Sequence, residues 1–267
     1  FRYKSCMHYR EIVTKIKHRI WMRATPNERE LEFFRRTKTI THTLTRFTPG
    51  VECIALVNST ALCATHSKSD IDLLIVVRPW YLMLTRVILT LLLKYRGELR
   101  RWDDDIGKFC LSFFLDTGHL DMSKIALDWG DPYLALWTSR VIPVAMTVDF
   151  YERWQASNQW IWIPFENPFP QAHIIKQLWH FSKFIHPIIR CIDLAIYGMY
   201  SLVRTITKLN KTPIKTPWGI IINRWIQKLH PDDKRMEWKC DNEKSLFFTE
   251  HSNNTSANRK EWETKKK

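Results

Sequence analysis

Blocks of apolar and polar positions along the chain mark out its elements. Pro26-Asn27 is followed by Glu28, Glu30 and Glu32, a helix start with Asn27 as N-cap and acids in the first turn. This helix is expected to run to about Arg46 and to stop before the turn signal Thr48-Pro49-Gly50. Residues 51–57 (VECIALV) are a short apolar run that reads as a buried strand. After a polar stretch over 58–69, residues 70–77 (DIDLLIVV) read as a second strand, closed by Pro79. Residues 80–95 form a strongly apolar helix pattern, and residues 108–115 (KFCLSFFL) a third strand. Asp131-Pro132 opens another helix, with proline at its first position.

Beyond Phe150 the strand signals thin out. Residues 171–209 carry apolar positions at three- and four-residue spacing, a helical pattern broken or kinked at Pro187, and a shorter helix is expected after Pro217. From about Asp241 the chain turns polar and ends in three lysines, too poor in apolar residues to fold alone. The fold class that follows is α/β: a small mixed sheet with flanking helices over 27–150, a mainly helical region over 151–240, and a disordered tail over 241–267. The chain opens on Phe1 rather than methionine, which leaves open the expectation of a preceding segment.

Charge adds a second pattern to this one. The net charge of +14 is divided unevenly: residues 1–50 carry 12 Lys and Arg against 4 Asp and Glu, residues 51–150 carry 10 against 12, and residues 151–267 carry 19 against 11. Basic flanks around a mildly acidic centre suit a site that holds cations in its middle and polyanions around them, nucleic acid included, and equally suit a solvated basic surface. The six cysteines show no C-x-x-C pair, and Cys53 and Cys110 sit in strand-like runs as small hydrophobes. That usage points to a reducing, cytoplasmic compartment. Residues 80–93 are too short to span a bilayer and 185–206 are interrupted by Arg190, Asp193 and Arg204, so no transmembrane segment is expected.

The chemistry concentrates in Asn58-Ser59, ten intervening residues, and Asp70-Ile71-Asp72. Residues two apart on a strand share a face, so Asp70 and Asp72 project side by side. Two adjacent carboxylates repel, and burying either without a partner costs several kcal/mol. A divalent cation removes both problems, and Mg²⁺ is commonly held by one or two carboxylates plus substrate phosphates. Ser59 can donate its hydroxyl to such a phosphate.

These residues resemble the DNA polymerase beta-type nucleotidyltransferase superfamily. Its pattern is a strand, a Gly-Ser turn, a short helix and then Ser-Asp-x-Asp on the next strand; the matching residues are Asn58-Ser59 and Ser69-Asp70-Ile71-Asp72. The resemblance covers about residues 27–120. It implies a Mg²⁺-dependent transfer of a nucleoside monophosphate from a nucleoside triphosphate to an acceptor, with Asp70 and Asp72 as metal ligands and Asn58 and Ser59 at the triphosphate. It also implies a third carboxylate on a later strand, for which Asp116 is the first candidate and Asp121 or Asp103-Asp104-Asp105 are alternatives. Two departures stand out: Asn58 replaces the usual glycine before the serine, and Cys63 occupies a second common glycine position. The acceptor is left open. A nucleotide- or RNA-binding module on the same fold, without transfer activity, is the alternative. A peripheral membrane protein using the basic, apolar stretch near 173–209 is a third reading. His180, His186, the paired arginines at 35–36 and 100–101 and the tryptophans of the C-terminal half are expected to be core or ordinary surface.

Overall fold

A computed structural model describes residues 7–101, 105–127, 131–161, 163, 167–175, 185–206 and 221–228. The elements run α1 (Met7–Arg19), α2 (Glu28–Phe47), β1 (Val51–Leu56), α3 (Asn58–Ala61), β2 (Ile71–Val77), α4 (Leu82–Tyr95), β3 (Phe109–Asp116), α5 (Pro132–Ser139), β4 (Ile142–Met146), α6 (Phe150–Ser157), β5 (His173–Ile174), α7 (Ile185–Ile206), β6 (Ile221–Ile222) and β7 (Ile226–Lys228). They form a mixed α/β fold around one sheet of order β5-β4-β1-β2-β3-β7-β6 among the described residues.

Local chemistry accounts for the first half. The Asn27 side chain accepts from the Glu30 amide at 3.1 Å while Glu30 accepts from the Asn27 amide at 2.7 Å, a reciprocal cap that starts α2. Pro132 follows the cap Asp131, whose Oδ1 accepts from the Leu134 amide. Every residue of β2 is buried, because the strand lies between two helical layers. Ile71, Leu73, Ile75 and Val77 pack with α2 and α4 in one core, while Leu74 and Val76 pack with residues of α5 and α6 in the other.

The topology sets up the site. β1 runs antiparallel to β2 and β2 parallel to β3, so the end of β1, the start of β2 and the start of β3 meet at the same end of the central strands. The Val57 amide donates to the Asp72 carbonyl at 3.1 Å and ties these ends together.

Three features depart from the sequence pattern. Helix α1 lies outside the expected 27–150 unit; its Ile12, Val13 and Ile16 pack with Ala135 and Leu136 of α5. Strand β4 pairs with β1, and β5, β6 and β7 extend the same sheet, so the region 151–240, whose described residues are mostly in α6 and α7, also adds short strands to the sheet. Strands β5, β6 and β7 are two or three residues long, too short to leave an alternation. Residues 173–174 are strand, and Pro187 falls in the first turn of α7 as described, where its missing N–H costs little. The expected helix after Pro217 falls mostly outside the described residues, as does the whole 241–267 tail. No helix among the described residues is long and apolar enough to cross a membrane.

Candidate functional site

The end of the central strands where β1, β2 and β3 meet opens into a cleft of about 780 Å³ whose walls include Asn58, Ser59, Asp70 and Asp72. The topology therefore brings four of the five sequence-expected site residues to one cavity. Five cationic side chains (Arg19, Arg23, Lys68, Arg100 and Lys228) line it against three carboxylates, Asp70, Asp72 and Asp105. That balance favours an anionic occupant.

Asp70 immediately precedes β2 and Asp72 is its second residue. Asp72 is only 5% exposed, and its Oδ1 is buried with no hydrogen-bond partner among the described residues. A buried carboxylate oxygen left in this way is costly unless a cation meets it. The donor set of two adjacent carboxylates on a strand end thus fits a divalent ion. Asp70 is held by Arg100, Nη1 to Oδ2 at 2.9 Å, and Arg100 also reaches Asp105 at 3.7 Å. Against the lowering that burial brings, Asp70 leads the groups that raise the Arg100 pKa above its ordinary value.

The turn after β1 takes an unusual backbone. Asn58 has φ +53° and Cys63 has φ +48°, so both positions where the resembled family carries glycine adopt the left-handed conformation that glycine enters freely. Asparagine is among the residues that tolerate it. The Asn58 Oδ1 accepts from the Trp137 indole at 2.7 Å, which fixes its side chain against α5. Cys63 accepts a cost of roughly 1 kcal/mol for the same conformation, and its side chain sits in the α2/α4 core. The thiol is therefore not crowding the cleft. Burial pushes it up to about 11, with Glu30 adding to the rise.

The loop between α3 and β2 is anchored from below by Glu30. This fully buried carboxylate accepts from the Thr65 amide at 3.0 Å and its hydroxyl at 2.7 Å, and pairs with Arg23. Ser59, in α3 just before this loop, stands on the cleft wall.

Asp116 belongs elsewhere, and the expectation that it completes the site is corrected. In the parallel β2–β3 pair Asp116 lies opposite Val77, whereas Asp72 lies opposite Cys110. Five residues of strand separate Val77 from Asp72, roughly 16 Å. Asp116 also shares its alternation with Phe114 of the α2/α4 core, away from Asp72. Its Oδ1 accepts from the Gly118 amide at 2.8 Å and meets His119 Nδ1 at 2.7 Å; its own amide donates to Trp225. Asp116 is a turn cap.

Of the alternatives, Asp121 caps the turn Met122–Ile125 through Ser123, Asp105 lines the cleft, and Asp103 and Asp104 lie outside the described residues. Two residues read from the sequence as core or surface are at the site instead. Cys110 faces Asp72 across the strand pair, and Arg100 bridges Asp70 and, more loosely at 3.8 Å, Cys110 Sγ. The β2–β3 register places Cys110 there, and the bridge between Leu99 and Phe109 places Arg100. Burial pushes the Cys110 thiol well up, and Asp72 and then Asp70 add to the rise. Cys53, by contrast, is the buried small hydrophobe expected.

Compared with known proteins, the chain matches no family model, no curated protein and no solved structure.

Proposed function

We propose that the cleft is a nucleotidyltransferase-type site that binds a nucleoside triphosphate together with a divalent cation, Mg²⁺ in the first instance. The observation that carries this reading is the unpartnered, buried Asp72 Oδ1 beside Asp70 on the wall of a cationic cleft. An ion there would be shared between the two carboxylates and the phosphates, while the surrounding arginines and lysines neutralise the rest of the polyphosphate. Ser59 donates its hydroxyl to a phosphate. The left-handed backbone at Asn58 and Cys63, the positions of the family's glycines, supports the same assignment.

Transfer of a nucleoside monophosphate is the activity that such a site serves in the resembled superfamily. In that reaction an acceptor oxygen forms a bond to the α-phosphorus, the bond to pyrophosphate breaks, and the acceptor's proton leaves to a base or to water. At about 780 Å³ the cleft is of the size that holds one small-molecule ligand such as a nucleoside triphosphate. The displacement of Asp116 from the site favours the other reading, a nucleotide-binding module without transfer.

Calorimetry of the full chain with each of the four nucleoside triphosphates and Mg²⁺ tests the binding. Saturable binding that disappears in Asp72→Asn supports it, and heats equal in the wild type and the variant sink it. Pyrophosphate release with a panel of acceptors then separates the two activities: release marks a transferase, and binding without release marks a nucleotide-binding module.

A further inference from the structure

The position opposite Asp72 holds a thiol. Cys110 is the in-register partner of Asp72 on the adjacent parallel strand, and cross-strand neighbours project to the same face. One carboxylate oxygen of Asp70, one of Asp72 and Cys110 Sγ all lie within 4.8 Å of one another. Small side-chain adjustments bring three such atoms around a single ion at about 2.0–2.3 Å from each.

We infer that Asp70, Asp72 and Cys110 together form a site for a thiophilic divalent cation of the zinc class, held in preference to Mg²⁺. This rests on the reading of Asp70 and Asp72 as ion ligands and goes beyond it in the identity of the ion.

Two observations besides the cluster point to a cation. Asp72, 95% buried, presents an oxygen with no hydrogen-bond partner among the described residues. Arg100 already places a positive charge between the same groups, 2.9 Å from Asp70 Oδ2 and 3.8 Å from Cys110 Sγ. Its side chain is 40% exposed, so it can swing outward when an ion enters.

Ligand chemistry then selects the ion. Mg²⁺ takes an octahedral shell of oxygens, and a sulfur at the third corner contributes almost nothing to it. Zn²⁺ and Cd²⁺ accept thiolate and carboxylate together in a four-coordinate shell. Three protein ligands leave the fourth position open to the cleft, for water or a phosphate oxygen. On coordination the thiol proton passes to solvent.

The probe is Cd²⁺, titrated into the full chain while the ultraviolet absorption of a thiolate–cadmium bond is followed. The expected result is a band that saturates at one ion per chain and that excess Mg²⁺ does not displace. Cys110→Ser abolishes the band and weakens Cd²⁺ binding by at least on the order of tenfold, the loss found even for outer-shell partners of a metal. Cys110→Asp abolishes the band and strengthens Mg²⁺ binding. This second variant keeps the test valid if the serine variant does not fold.

A band that survives in both variants places the ion on another cysteine and overturns the inference. So does Mg²⁺ displacing Cd²⁺ at comparable concentrations. Triphosphate binding is read separately. A cadmium band without triphosphate binding upholds the ion site and discards the nucleotide reading. Mg²⁺-dependent triphosphate binding without a cadmium band overturns the ion identity and leaves the nucleotide reading standing.

Discussion

The two ends of the β2–β3 pair each carry a buried carboxylate, and the two are used in opposite ways. At the far end Asp116 accepts from the Gly118 amide and meets His119, whose ring stacks on Trp225 at 5.1 Å. At the near end Asp72 has an oxygen with no hydrogen-bond partner among the described residues. The first arrangement satisfies a charge internally and stabilises a turn; the second leaves it available for a ligand. Burial alone does not separate them, since Asp116 is 1% exposed and Asp72 is 5%. What separates them is whether the surrounding backbone supplies donors.

The largest effect that tests this contrast is on binding. Asp72→Asn is expected to weaken Mg²⁺-dependent triphosphate binding by on the order of 100-fold, about 2.7 kcal/mol. The melting temperature should hold or rise, because a repulsion is relieved. Calorimetry and a thermal melt together read both; equal losses of binding in Asp72→Asn and Asp116→Asn would erase the distinction between the two ends.

The mirror-image result is expected from Asp116→Ala. Removing its carboxylate strands the Gly118 amide and the His119 ring and should lower stability by about 2 kcal/mol. For a domain of this size that is a fall of roughly 4–8 °C in the melting temperature. Triphosphate affinity should not change. A fall in affinity without loss of stability would return Asp116 to the site.

Ser59→Ala should weaken triphosphate binding by about 1 kcal/mol, one lost hydrogen bond, and leave binding of the bare nucleoside unaltered. An equal loss for both ligands would assign Ser59 to folding instead of phosphate. The smallest effect is expected at Arg100. Its partly exposed pairing with Asp70 contributes little, about 0.5–1 kcal/mol, so Arg100→Ala should bind the divalent ion alone only a few-fold more tightly. Weaker ion binding in that variant would show that Arg100 supports the carboxylates and does not compete for them.

The near end was legible in the sequence because its signals are local. Asn27 and Glu30 announce the cap of α2, the uninterrupted run 71–77 announces a strand covered on both faces, and Asp70 and Asp72 are spaced to share one face. Asp116 was misplaced because its assignment depends on register. Between Asp72 and Leu74 of β2 the facing residues of β3 step from Cys110 to Phe113, a shift of one residue. A bulge of this kind reverses which residues face which layer, and no composition or spacing reports it. Cys110 was concealed because it sits in an apolar run indistinguishable from that of Cys53. Helix α1 escaped for another reason: its buried stripe is three residues, Ile12, Val13 and Ile16, within a basic segment.

Glu30 has a consequence for how tightly any ligand can bind. Its carboxylate fixes the Thr65 amide and hydroxyl to the first turn of α2 and also engages Arg23. The loop that leads from α3 to Asp70 is thus ordered before anything enters the cleft. An untethered loop would surrender about 1–2 kcal/mol of backbone freedom for each residue frozen on binding. Here that loss has already been met in folding, so contacts made by the ligand appear almost undiminished in its affinity. Loosening the anchor would weaken binding through entropy alone, at a residue that need never touch the ligand.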